Sequence, residues 1–191
     1  MADSRRSWAR ALFLALPDEA AQDAAAAVLE AVSEALRGRR AEDVDAFFRD
    51  PAVPGAERAR VLASLYERAG GSGEAAQVFA RFASLLVEKR RMPLLPAIAS
   101  SFRAFLDGAR GVARLEVVSA RELTDAVLAS IEAAWKAASG ASTVVMDTTR
   151  DSALLGGFIL RTGSVRYDWS TAGRLSRLRR ELSRPLGEGR D

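Results

Sequence analysis

Apolar residues recur along the first half of the chain with the spacing of α-helices. Between Ser7 and Leu16, the residues Trp8, Leu12, Ala15 and Leu16 fall at i, i+4, i+7 and i+8 and share one helical face. An alanine-rich stretch from Glu19 to Leu36 carries Val28, Leu29, Val32 and Leu36 on one stripe, and Gly38 ends it. Val44, Phe47 and Phe48 predict a short helix that stops before Pro51. Pro54 opens a fourth helix, with Val61, Leu62 and Leu65 lining a face as far as Gly70-Gly71. A fifth begins at Ser72 or Gly73 and carries Val78, Phe79, Phe82, Leu85 and Leu86. Pro93 suits the first turn of a sixth, which bears Leu94, Leu95, Ile98, Phe102 and Phe105. Short connections between amphipathic helices predict an all-α N-terminal six-helix bundle over residues 1–107.

After Gly108 the pattern changes. Residues from Val112 to Val118 alternate, as in a half-buried strand. Ser119 followed by Glu122 has the spacing of a capping box and predicts a helix start. That helix carries Leu123, Val127, Ile131 and Trp135, and Gly140 stops it. Thr143–Thr148 reads as a second strand. Leu154–Arg161 and Val165–Trp169 read as a hairpin around Thr162-Gly163-Ser164. Ser170 caps a last helix with Leu175, Leu178 and Leu182 on one face. The order β-α-β-β-β-α predicts a small α+β C-terminal domain over residues 108–191.

Composition narrows the function. The 191 residues include no Cys, no His and no Asn. Thiolate nucleophiles, Ser-His hydrolases and most zinc sites are thereby excluded. The net charge is +3 although the pI is about 9.9, because all but Lys89 and Lys136 of the 28 basic residues are Arg. Residues 1–107 are neutral, so the excess lies in the second part. No apolar run reaches the length of a membrane span. The basic and apolar opening is interrupted by Pro17, Asp18 and Glu19, which predicts a helix rather than a signal peptide.

Candidate chemistry is sparse. Gly70-Gly71-Ser72-Gly73 lies between two helices and reads as a turn, not a phosphate loop. Gly156-Gly157 reads as a bulge or a close backbone approach. Asp147 and Asp151 flank a strand end and offer a weak cation site. Asp168-Trp169-Ser170 reads as a turn and cap. The last helix gathers Arg174, Arg177, Arg179, Arg180 and Arg184 against Glu181. Such a helix can contact phosphates, but aromatic residues for base stacking are absent from it. Trp8, flanked by Ala9, Ala11 and Ala15, suits either a core or a groove for a partner helix.

The chain resembles the delta subunit of bacterial F-type ATP synthases, the oligomycin-sensitivity-conferring protein family. Four segments carry the resemblance: SWARALF in the first helix, FARFASLLVEKRRMPLLPAIASSFRAFL, VVSARELTDAVLASIEAAW, and LLGGFILRTGSVRYDWSTAGRLSRLRREL at the end. Lys89, Ser152-Ala153 and Trp8 depart from the usual Asn, Pro and Tyr. The resemblance implies a non-catalytic stator subunit without cofactor or metal, peripheral on the cytoplasmic face of the bacterial membrane. It implies alpha and b subunits as partners, and neither nucleic acid nor self-association. An alpha-subunit helix would meet Trp8, Ala11, Leu12, Ala15, Phe79, Phe82 and Leu86. Gly156, Gly157, Arg174, Arg177 and Arg180 would face the b subunits. The alternative from the residues alone is a nucleic-acid-binding protein using the Arg-rich helix.

Overall fold

The computed structural model describes residues 2–39, 41–163 and 165–182, with the side chains of Arg177 and Arg180 among those outside that description. Ser164 and Arg184 also lie outside the described residues. The chain divides into two compact units, Met1–Leu106 and Asp107–Asp191. The division falls within a helix that continues to Ala109.

The first unit is built from α1 (Ala2–Ala15), α2 (Glu19–Ala35), α3 (Ala41–Arg49), α4 (Gly55–Arg68), α5 (Gly73–Glu88) and α6 (Leu95–Ala109). A 3-10 turn, Met92–Leu94, takes Pro93 and leads into α6. Asp18 caps α2 by accepting the Ala21 amide at 2.7 Å, which relieves one unpaired donor of the first turn. The stripes read from sequence meet in one apolar cluster, to which all six helices contribute. Leu12, Leu29, Leu62, Phe79, Leu86, Ile98 and Phe102 lie at its centre, fully buried. Each such side chain contributes about 1.5–3 kcal/mol by leaving water.

Alanine richness in α2 has a packing consequence. Ala21, Ala24, Ala25 and Ala26 are buried, so neighbouring helices approach where longer side chains would keep them apart. The Gly70–Gly73 segment is a turn between α4 and α5. Gly70 and Gly73 hold positive φ there. Gly71 lies against one edge of the Tyr66 ring, where a Cβ would collide with the ring carbons.

The second unit holds β1 (Val112–Ser119), α7 (Asp125–Ser139), β2 (Thr143–Arg150), β3 (Phe158–Thr162), β4 (Val165–Asp168) and α8 (Thr171–Leu182). The sheet is mixed, with strand order β2-β1-β3-β4. β1 runs parallel to β2, and α7 is the crossover between them; β3 and β4 add antiparallel. Leu115, Val117, Val144 and Leu160 share the sheet face that carries Ile131 of α7.

Two boundaries differ from the sequence expectation. The expected capping box at Ser119 does not form. Ser119 ends β1 paired with Phe158, and its hydroxyl donates to the Arg121 carbonyl at 2.7 Å. The helix starts six residues later, behind Thr124. The ladder to β3 outcompetes the local cap. The strand expected from Leu154 begins at Phe158, because Asp151 closes a turn on the Ala153 amide and Leu155 is exposed.

Candidate interaction surfaces

Ala9 and Leu12 of α1, and Leu16 just after it, point into the core. Trp8 sits at the core's edge, half-buried, with its ring edge-on to Phe82 of α5 at 5.9 Å between centroids. Ser4, Ala11 and Ala15 share the flank of Trp8 at helical spacing, and both alanines are exposed. Phe13 and Arg6 lie on the opposite flank, towards Phe105 of α6. The small-residue flank of α1 therefore borders α5.

The matching flank of α5 carries Val78 and Leu85 beside Phe82. Leu85 is 45% exposed, although it is apolar and mid-helix. Arg81, also exposed, stands at the rim. The result is a shallow strip with small residues on one side and aliphatic residues on the other, floored by Trp8 and Phe82. Of the residues picked from sequence, Trp8, Ala11 and Ala15 reach this surface. Leu12, Phe79 and Leu86 are at most 1% exposed and Phe82 is 7% exposed, so they support it from beneath. Leu85 and Val78 were missed as surface residues. Their place in the fifth helical stripe was legible, but not which edge of the stripe stays uncovered.

The second unit holds a groove that sequence reasoning missed altogether. It encloses about 750 Å³ beside α7, between Val127, Ile131 and Trp135 and the strand residues Phe158, Leu160 and Tyr167. Trp135 meets Tyr167 edge-on at 5.5 Å, and Tyr167 stacks on Trp169 at 5.6 Å. The cause is geometric. Four strands make a face roughly 19 Å wide, whereas one helix covers about 10 Å. α7 lies over the β2 side, and the β3–β4 side is left open. There is room for one more helix. Apolar side chains at strand ends and one helix edge carried no sequence pattern that joined them.

Gly156 and Gly157 have a backbone task. Gly157 has φ 77°, and a Cβ there would collide with the Trp169 carbonyl oxygen. The Gly156 carbonyl accepts the Thr171 amide at 2.9 Å. Together they let β3 approach the start of α8. That start is held by Asp168, whose carboxylate accepts from the Ser170 amide at 2.9 Å and hydroxyl at 2.6 Å. Ser170 Oγ in turn accepts the Gly173 amide at 3.0 Å. Replacing Gly157 by Ala is expected to destabilise the second unit by about 2–4 kcal/mol, through a backbone clash added to a left-handed conformation. A two-step melt, with loss confined to the second unit's Trp135 and Trp169 fluorescence, would show it. An unchanged melt would refute the close-approach account. Arg174 is exposed on α8.

Among the described residues no three His, Cys, Asp or Glu side chains gather as a metal site. No described helix is long and apolar enough to cross a membrane. Asp147 lies on β2, and Asp151 is committed to its own turn.

The geometry describes a helical unit and a small mixed-sheet unit, each with an uncovered apolar strip. The model of the family described as ATP synthase delta (OSCP) subunit matches residues 5–182. The chain belongs to that family. ATP synthase subunit delta of Methylobacterium sp. is 32% identical over 90% of this chain and 87% of its own. That of Rhizobium etli is 31% identical over 92% and 89%. A chain of the Toxoplasma gondii mitochondrial ATP synthase hexamer, solved by cryo-EM, has TM-score 0.72 at 22% identity. It covers 95% of this chain and 98% of that one, and so shows the same fold. Delta (OSCP) subunits are structural and not themselves catalytic, and a peripheral-stalk role fits the family.

Proposed function

We propose that this delta-family chain clamps the catalytic head of an F-type ATP synthase to its peripheral stalk, so that proton flow is coupled to ATP synthesis. α1–α6 act as a six-helix bundle over residues 1–107. An N-terminal helix of an alpha subunit lies along the α1/α5 strip, with Trp8, Ala11, Ala15 and Leu85 in contact. Residues 108–191 hold the b subunits, with one b helix filling the groove beside α7. Gly156, Gly157, Arg174, Arg177 and Arg180 border that side in our reading. The chain works on the cytoplasmic face of the bacterial membrane, attached through the complex, as a single copy.

The observation that carries this reading is the pair of uncovered apolar strips on separate units. A stator that resists torque needs tight binding at both ends, of nanomolar order, about −12 kcal/mol. A few buried anchors in a helix-shaped groove can supply that. Two separate sites on one chain add avidity.

The test is calorimetry on the full chain with two synthetic peptides from the same genome. One is the amino-terminal segment of the alpha subunit, and the other is the carboxyl-terminal segment of the b subunit. Each is expected to bind in 1:1 ratio, to gain helicity by circular dichroism, and not to compete with the other. Absence of binding at micromolar peptide rejects the corresponding site.

A further inference from the structure

We propose that the free edge of β2 takes up an extended, basic segment of a partner protein as a further strand of the sheet. This contact lies beyond the two apolar strips and rests on neither. β2 ends the strand order β2-β1-β3-β4, and among the described residues no strand pairs with its outer side. Every second residue of such a strand turns its N–H and C=O away from the sheet, which makes a template for another chain.

The two edges of the sheet differ. β4, at the other edge, is four residues long, and two of the four, Arg166 and Asp168, are charged. Short length and charge are how natural sheets blunt an edge. β2 lacks that protection. It is eight residues long and has no proline, glycine or lysine. Its register with β1 is unbroken from Thr143 to Arg150, so no bulge twists the edge away. Asp147 is its only charge before the last residue, and Val145, two positions away on the same face, is 40% exposed.

The charge on this edge selects the incoming strand. The register sets Asp147 opposite Glu116 and Val145 opposite Arg114, on the sheet face away from α7. Like charges directly opposite each other destabilise a sheet. Glu116 is matched on its other side by Arg161 at 3.3 Å, and Arg114 by Asp107 at 2.8 Å. The Asp147 carboxylate has no such partner among the described residues, and the residue is exposed. A recess of about 300 Å³ opens beside it, bordered by Val145, Glu116, Arg161 and Gly163. That is room for a long side chain lying over the sheet. A lysine or arginine on the added strand, opposite Asp147, would complete the row that Arg161 and Glu116 begin, with two carboxylates between two cations. Apolar or β-branched neighbours on the same strand would cover Val145. Main-chain hydrogen bonds then supply the affinity, and the pair with Asp147 supplies the selectivity.

The test uses the full chain and synthetic peptides matched to β2 in length, eight residues. The first alternates valine and threonine around one central arginine. The second has glutamate in place of the arginine, and the third keeps the arginine but has every backbone amide N-methylated. The arginine peptide is expected to shift the β2 amide signals in NMR and to slow their exchange with solvent. The glutamate peptide should bind about tenfold more weakly, the swing between an attractive and a repulsive cross-strand pair. Asp147→Lys should reverse that preference, with little change in melting temperature because the position is exposed. No binding of the arginine peptide at about 2 mM, a concentration that catches even millimolar affinity, overturns the proposal. Equal binding of the N-methylated peptide also overturns it, since that would be ionic attraction without strand pairing. An unchanged preference in Asp147→Lys does the same, because Asp147 would then not face the added strand. Competition with the b-subunit peptide would place the probe in the groove beside α7 and reject the β2 edge, while the proposed clamp function would stand.

Discussion

Replacing Tyr66 by Ala is expected to cost the helical unit about 3–5 kcal/mol, the range for a large aromatic deleted from a packed core. Tyr66 is fully buried on α4. Its ring stacks on Phe79 of α5 at 4.3 Å and 6°, and Gly71 lies against its other edge. Its hydroxyl donates to the Ala21 carbonyl of α2 at 3.0 Å. One side chain thus joins three helices and the turn between two of them. A domain of this size has a total stability of about 5–15 kcal/mol, so Tyr66→Ala should bring the first unit close to unfolding at 37 °C. Tyr66→Phe keeps the stack and loses only the hydroxyl bond, for about 1 kcal/mol. Thermal or urea melts of both variants check the order. Equal losses would mean that the stack contributes little.

The same hydroxyl predicts an alkaline weakness. Burial, reinforced by the Asp18 carboxylate, raises the Tyr66 pKa above its usual 10.0. Above pH 10 the unfolded chain loses this proton before the folded one does. Stability is therefore fully present below that pH and falls as pH rises towards the folded pKa. Tyr66→Phe should flatten this part of the pH profile.

Much of this fold was written in the period of the apolar residues. The six stripes up to Phe105 each became a helix, because an amphipathic face has no other way to leave water. The strands after Gly108 were legible from alternation for the same reason. Local signals failed where tertiary pairing competed with them. Ser119 has good capping chemistry, yet pairing with Phe158 in the ladder holds it in the strand. The interaction surfaces were less legible than the core. Periodicity separates apolar from polar faces, but not the middle of a face from its edge. Phe79 and Leu86 lie in the middle and are closed to solvent, whereas Leu85, one residue from Leu86, lies at the edge and is open. The groove beside α7 was silent in sequence. It depends on Trp135 and Tyr167 meeting across 32 residues of chain, and on a sheet wider than its single crossover helix.

Leu85→Asp combined with Ala11→Arg is expected to reduce binding of an alpha-subunit N-terminal helix at least about 100-fold while leaving the fold intact. Both positions are exposed and neither belongs to the core, so the melting temperature should move little; surface changes of this kind stay within about 0.5 kcal/mol. Binding suffers for two reasons. The Asp carboxylate must be desolvated against an apolar helix face, and the Arg side chain fills space that Ala11 leaves beside Trp8. Leu12→Ala is the control from beneath the same surface. Leu12 is 1% exposed, so its truncation should cost about 2–5 kcal/mol of stability, with any loss of affinity following from the weakened support. The two variants therefore separate in opposite directions on a plot of affinity against melting temperature. If Leu85→Asp with Ala11→Arg binds as the parent does, the alpha-subunit helix does not lie along α1 and α5. Reconstitution into vesicles gives a second readout. Head particles carrying the double variant should hydrolyse ATP at the normal rate yet fail to pump protons, because a stator that slips leaves catalysis untouched and only releases the coupling.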